Sequence, residues 1–307
     1  MMKNVTCAAT SLAILLGTVA PVAADWREDF GSFNIGILSG ENEADRIRRN
    51  DCLQDLLAEK LSVPVELYPA ADYAGVMQGL LAGQLHMAGM GPSGYAGVYL
   101  ADADAVEPFV VDKNIDDSLG YYAVIYVRSD SAAQTLEDLE GMSLAYADPN
   151  STSGYLVPRA ELRAAGIDDE EFFGSTGFAG GHEQGVIAVL QGQYDAGVTW
   201  SSLMGDVSEG YSRGNLRRMV DNDLLDMDDI RIVWESGLIP NGPRVRRTDL
   251  PQEAKDIIDD LYATFEVDYP ECYRSVVGGE GNGYAPVDHS FYATMVEMRR
   301  EELEGSR

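Results

Sequence analysis

The 307-residue sequence predicts two α/β lobes behind a short leader. Three observations carry that prediction. Segments of strand and helix periodicity alternate along the chain, the alternation starts afresh near Met142, and a short motif recurs about 110 residues apart. Alternation of this kind packs helices on both faces of a mainly parallel sheet.

Residues 32–38 form the first strand-length apolar run. Residues 43–61 follow with Ile47, Leu53, Leu56, Leu57 and Leu61 near one face, which is helical spacing. Residues 63–68 are expected as a strand, 73–82 as a helix and 85–90 as a short buried strand. Gly91-Pro92 stops that strand and starts a helix, since proline is tolerated in a first turn. Residues 122–127 are strand-like again. In the second half, 142–146 predicts a strand, 152–165 a helix, 182–191 a helix, and 194–200 and 230–234 two more strands. Residues 252–265 and 291–304 are helical. The recurring motif is Gly83-Gln84-Leu85-His86-Met87-Ala88-Gly89 against Gly192-Gln193-Tyr194-Asp195-Ala196-Gly197. Each copy ends a helix and begins a strand. Ligands of such folds bind beyond the carboxyl ends of strands, at helix N-termini, so two lobes imply a site in the cleft between them.

Residues 1–24 differ from the rest. A start carrying Lys3 leads into an apolar run over 7–19, then Ala20-Pro21-Val22-Ala23-Ala24 before Asp25. That pattern predicts a cleaved signal peptide and export, and the apolar run is short for a membrane span. Two cysteines, Cys52 and Cys272, remain after cleavage. An oxidising compartment permits a bridge between them, and the sequence leaves bridged and free thiols equally open. The formal net charge is −29, which argues against nucleic acid or an anionic membrane as a partner. It does not forbid a small anion, because screening confines long-range repulsion to about 8 Å at physiological salt.

The strongest local signal is Asp148-Pro149-Asn150-Ser151-Thr152-Ser153-Gly154. An apolar strand runs into a turn, and three hydroxyl residues then open a helix. The first N–H groups of a helix have no internal partner. They and the helix dipole favour a bound oxyanion, although the same residues would also serve as an ordinary cap. Gly180-Gly181-His182-Glu183 opens the next helix, where a histidine can donate to an anion. Asp72-Tyr73-Ala74-Gly75 starts another, and Gly120-Tyr121 precedes a strand. Catalytic patterns are missing: three histidines (86, 182 and 289) lack metal spacing and there is no G-x-S-x-G. The chain is therefore expected to be a binder and not an enzyme, with no cofactor and no metal.

Taken together, Asp72-Tyr73-Ala74-Gly75, Gly91-Pro92, Gly120-Tyr121, residues 148–158, His182-Glu183 and Leu238-Ile239-Pro240-Asn241 resemble the phosphonate-binding proteins of ABC importers, the PhnD family, in collinear order. The resemblance implies a type II periplasmic-binding fold, with hinge strands near 121–127 and 230–236. Residues 25–126 plus 234–307 would form lobe 1, and 127–233 lobe 2. It implies a phosphonate or related small phosphorus oxyanion (methylphosphonate, phosphite, phosphate) held by Ser151, Thr152, Ser153 and His182, with Tyr73 and Tyr121 beside it. The partners implied are a membrane permease and ATPase; a periplasmic sensing subunit of a signalling system is the alternative. Relatives that prefer aminoethylphosphonate hold its ammonium with two carboxylates. The matching positions here are Ser202 and Gly242, which predicts a weak preference for the amino ligand unless Glu235 or Asp195 substitutes. His86 stands where relatives often carry Asp.

Overall fold

The computed structural model describes residues 25–305, so the leader expected over 1–24 lies outside the described residues. Twelve strands follow in chain order: β1 (Phe33–Ile37), β2 (Val65–Pro69), β3 (Met87–Gly89), β4 (Val106–Asp112), β5 (Gly120–Arg128), β6 (Ser143–Tyr146), β7 (Ser175–Phe178), β8 (Ala196–Ser201), β9 (Ile230–Glu235), β10 (Ile239–Pro240), β11 (Pro243–Arg247) and β12 (Tyr284–Pro286). They form two sheets. One has the order β12-β4-β11-β3-β1-β2; the other has β10-β5-β8-β6-β7, with β9 also pairing β5.

Each sheet has a parallel heart. β1 pairs β2 and β3, and β6 pairs β7 and β8, all parallel. The rest is antiparallel, which corrects the expectation of mainly parallel sheets. β11 runs against β3 and β4, and β5 against β8, β9 and β10. A strand that enters a lobe from the cleft begins at the edge where the parallel strands end, so it must run against them. The chain passes from the first sheet to the second between Asp112 and Gly120, and returns between Pro240 and Pro243. The boundaries expected at 126/127 and 233/234 fall inside β5 and β9, and both strands belong to the second sheet.

The recurring motif has a structural origin. The helix Tyr73–Leu81 joins β2 to β3, and the helix His182–Leu190 joins β7 to β8. Gly83 and Gly192 follow them with φ of +70° and +72°, a left-handed conformation that glycine adopts at little cost. His86 belongs to this structural role. Its Nδ1 accepts the Asn34 N–H at 2.8 Å, and its ring packs on Phe30 and Phe33.

Alternation along β5 fills both faces of the second sheet. Ile125 and Val127 pack with Leu144, Leu162 and Val198, whereas Val124 and Tyr126 pack with Val186, Val189 and Leu216. In the first lobe, Leu53, Leu57 and Leu61 of the helix Glu43–Leu61 meet β1 and the Ile258–Leu261 face of Gln252–Ala263. Cys52 is bridged to Cys272 in the helix Pro270–Val277. The last helix, Ala293–Gly305, straps the lobes together: Arg299 donates to the Pro149 carbonyl at 3.1 Å and to Asn150 at 2.6 Å, and Glu302 accepts from Arg159 at 2.7 Å.

Candidate functional site

Helices that follow the parallel strands begin at the cleft. After β6, Asp148 accepts the Asn150 N–H at 2.7 Å and turns the chain. Ser151 then caps the helix, its Oγ accepting the Gly154 N–H at 3.0 Å. The first turn is wide, with the Leu156 N–H bonded to the Ser151 carbonyl at 3.1 Å, five residues back. Wide turns of this kind recur at functional sites. The N–H groups of Thr152 and Ser153 have no acceptor within the helix. Gly154 is required: a Cβ there would lie 2.5 Å from Ala147 and 2.9 Å from the His182 ring.

His182 opens the helix after β7. A Cβ on Gly181 would lie 2.2 Å from the Gly40 Cα, so glycine lets the second lobe close on the first. The Glu183 N–H donates to the Gly40 carbonyl at 3.1 Å across that contact. His182 Nε2 lies 3.2 Å from Ser151 Oγ and Nδ1 lies 3.4 Å from Thr199 Oγ1. Burial lowers its pKa to about 4, with Glu41 opposing and Arg218 adding to the effect. The imidazole is neutral at pH 7 and keeps one N–H to donate.

Tyr73 opens the helix after β2, where Asp72 accepts the Gly75 N–H at 2.8 Å. Its own N–H faces the Asp148 carboxylate, and its phenol faces the Ser151 hydroxyl. The Tyr121 phenol, from β5, meets the hydroxyls of Ser153 and Thr152. Burial raises both phenols, Tyr121 to about 12, so both stay protonated and able to donate. A third helix start joins them: the Ser93 N–H donates to Thr152 Oγ1 at 2.8 Å.

All six residues expected to hold a ligand (Ser151, Thr152, Ser153, His182, Tyr73 and Tyr121) line one cavity of about 210 Å³. Each is buried. Of the two selectivity positions, Gly242 lines the cavity and Ser202 does not. A Cβ at Gly242 would lie 1.9 Å from the Met90 carbonyl oxygen, which excludes any side chain, charged or not. Ser202 Oγ bonds Ser212 Oγ at 2.9 Å and accepts the Arg213 N–H at 3.3 Å. Neither Glu235 nor Asp195 reaches the cavity; Asp195 instead accepts from the Ser143 N–H and hydroxyl at 2.9 and 2.7 Å.

Sequence reasoning missed the charged part of the lining. Arg49 and Arg218 both pair with Glu41. Burial pushes the Glu41 carboxyl up, but the two guanidiniums outweigh it and bring it to about 2. Asp112 takes Arg213 at 3.4 Å and Arg244 at 3.3 Å. One signal was available: Arg46 and Arg49 fall on the same helical face as Leu53 and Leu57, where a cation has no place unless it is used. Arg213, Arg218 and Arg244 carry no comparable mark. Among the described residues, no cluster of three or more His, Cys, Asp or Glu is placed to hold a metal ion.

A family model described as "ABC transporter, phosphonate, periplasmic substrate-binding protein" matches residues 35–292. The "Phosphonates-binding periplasmic protein" of Escherichia coli (strain K12) is 29% identical over 299 residues, covering 96% of this chain and 82% of that protein. The "Phosphate-import protein PhnD" of Mycolicibacterium smegmatis is 27% identical over 239 residues, 76% of this chain and 71% of that one. Among solved structures, PhnD1 from Prochlorococcus marinus (MIT 9301) in complex with methylphosphonate has a TM-score of 0.73 at 17% identity, covering 89% of this chain and 98% of that one.

Proposed function

This chain belongs to the family of periplasmic substrate-binding proteins of phosphonate ABC transporters, and from that premise we propose that it captures a phosphonate or a related small phosphorus oxyanion in the cavity between its lobes. Its fold is the type II periplasmic-binding fold. The observation that carries the reading is the convergence of the Ser151–Thr152–Ser153 helix start, His182, Tyr73 and Tyr121 on one buried cavity. The hydroxyls, helix N–H groups, phenols and imidazole are all neutral donors. They can surround three phosphoryl oxygens, and the helix dipole adds to their pull. Methylphosphonate, phosphite and phosphate all present such oxygens.

The reading includes a division of the chain. The lobes meet at two crossings, residues 113–119 and 241–242, and closure about these would bury the ligand and shape one surface for a membrane permease and its ATPase. Export through a cleaved leader over 1–24 would place the protein in the periplasm.

Calorimetric titration of the mature chain with methylphosphonate, phosphite, phosphate and sulfate tests the assignment. The double variant Ser151→Ala plus Thr152→Ala should weaken binding of the preferred phosphorus ligand at least about 100-fold, since each hydrogen bond to a charged group contributes about 1.5–3 kcal/mol. Unchanged affinity in a folded double variant would remove this site.

A further inference from the structure

Five arginines and two carboxylates line the cavity: Arg46, Arg49, Arg213, Arg218 and Arg244 against Glu41 and Asp112. Arg46 is committed to the backbone, donating to the carbonyls of Glu41, Ile37, Leu38 and Ala70. The other four share two carboxylates, Arg49 and Arg218 on Glu41, Arg213 and Arg244 on Asp112. Among the residues that line the cavity, these four cations therefore face two carboxylates, in a buried setting where uncompensated charge is expensive.

Hydrogen bonding points the same way. Arg213 is 3% exposed, and its Nε and Nη1 make no hydrogen bond; the Nε atoms of Arg218 and Arg244 also lack one. Burial and the neighbouring Arg218 hold the Arg49 guanidinium below its ordinary pKa, although Glu41 opposes them, a mark of crowded cations. The end formed by Ser151, Thr152 and Ser153 is different in kind, because its donors are neutral. Trp200 touches both sets of residues. Its ring meets Tyr121 with centroids 5.4 Å apart, and the Arg218 guanidinium lies 5.2 Å from the Trp200 ring. One indole thus touches a member of each set, so groups held by the two sets can be joined by a short carbon chain.

Resting on the reading of the cavity as a phosphorus-oxyanion site, we propose that the ligand is a phosphonate bearing a second anionic group, a carboxylate on a short tether, which Arg213 and Arg218 receive. A carboxylate is flat, small and matched to the guanidinium fork. An ammonium at the same place would face net positive charge, and an alkyl group would leave the buried donors unmet.

Titration of the mature chain with length-matched probes decides the matter: 3-phosphonopropionate, ethylphosphonate and 2-aminoethylphosphonate. We expect 3-phosphonopropionate to bind at least about 30-fold tighter than ethylphosphonate, the return of one charge-assisted pair, and 2-aminoethylphosphonate to bind more weakly than either. Arg213→Lys and Arg218→Lys each keep a cation beside the native carboxylate while removing the fork, and in each the ratio between the first two probes should fall towards one. Equal binding of those two by the unaltered chain, or a preference for the amino probe, overturns this proposal and leaves the phosphorus-oxyanion reading standing. An unchanged ratio in both lysine variants overturns it as well. Failure to bind any phosphonate, phosphite or phosphate removes the underlying reading, and the proposal with it. Because the comparison of probes on the unaltered chain is decisive alone, a variant that does not fold cannot rescue the idea.

Discussion

At His182, burial works against protonation, and this has a measurable consequence. The folded chain holds the imidazole at a pKa of about 4, against an ordinary 6.5. Between those values the unfolded chain binds a proton that the folded chain refuses. The resulting stability is complete above pH 6.5 and is lost as pH falls through that window, about 2 kcal/mol of it by pH 5. Glu41 acts lower: its carboxyl sits at about 2 against 4.5, so its contribution is lost only below pH 4.5. Urea unfolding of the unliganded chain at pH 7 and pH 5 should therefore show a drop that His182→Asn makes smaller by about 2 kcal/mol, the His86 imidazole, which burial also holds below its ordinary pKa, supplying part of what is left. An equal drop in the variant would mean that His182 is protonated in the folded state. The six cavity-lining residues expected to hold a ligand were legible in the sequence because each sits at a helix or strand start with glycine or hydroxyl neighbours. The arginines were not. Arg218 lies 177 residues along the chain from the Glu41 it meets, Arg213 lies about 100 residues from its partner Asp112, and no local period marks either. Gly242 was legible as lacking charge, but the clash with Met90 that forbids any side chain exists only in three dimensions.

Among the elements, those with long periodic faces were readable and those shaped by their neighbours were not. The helix expected over 43–61 is found at Glu43–Leu61, because its leucine stripe is unambiguous. β4 was missed. It contains Pro108, which cannot donate to a ladder and argues against an interior strand, yet β4 lies between β11 and β12. The β11 ladder absorbs the proline with a register shift: Arg244 pairs Val110, Val245 pairs Pro108, and Phe109 is skipped. β7 was missed for another reason, being a short and mostly exposed edge strand. The bridge between Cys52 and Cys272 ties two helices of the first lobe across 220 residues of chain. Closing so long a loop removes much entropy from the unfolded chain, and native bridges are typically worth about 2–4 kcal/mol. Cys52→Ser plus Cys272→Ser should lower the melting temperature by roughly 5–15 °C. No change by calorimetry would mean that the helix packing alone holds this edge.

On the scale of the whole molecule, an acidic protein with a net charge of −29 encloses a cavity lined by five arginines and two carboxylates. The two fields have different ranges. The arginines act over a few ångströms, inside a closed cleft, and their influence at its mouth is small. The acidic surface acts over the Debye length, about 30 Å at 10 mM salt and about 8 Å at 150 mM. At low salt an incoming anion is repelled by the entire molecule before it meets the cavity. At physiological salt only nearby charges are felt. Association of methylphosphonate, followed in a stopped-flow by the fluorescence of Trp200 in the cavity wall, should therefore quicken severalfold between 10 and 150 mM sodium chloride. The usual expectation for oppositely charged partners is the reverse, a rate that falls with salt. A falling rate here would show that the arginines project through the cleft mouth and steer the ligand. A rising rate would show that they hold it only after entry, leaving the acidic surface to keep the protein soluble and free of nonspecific anionic partners.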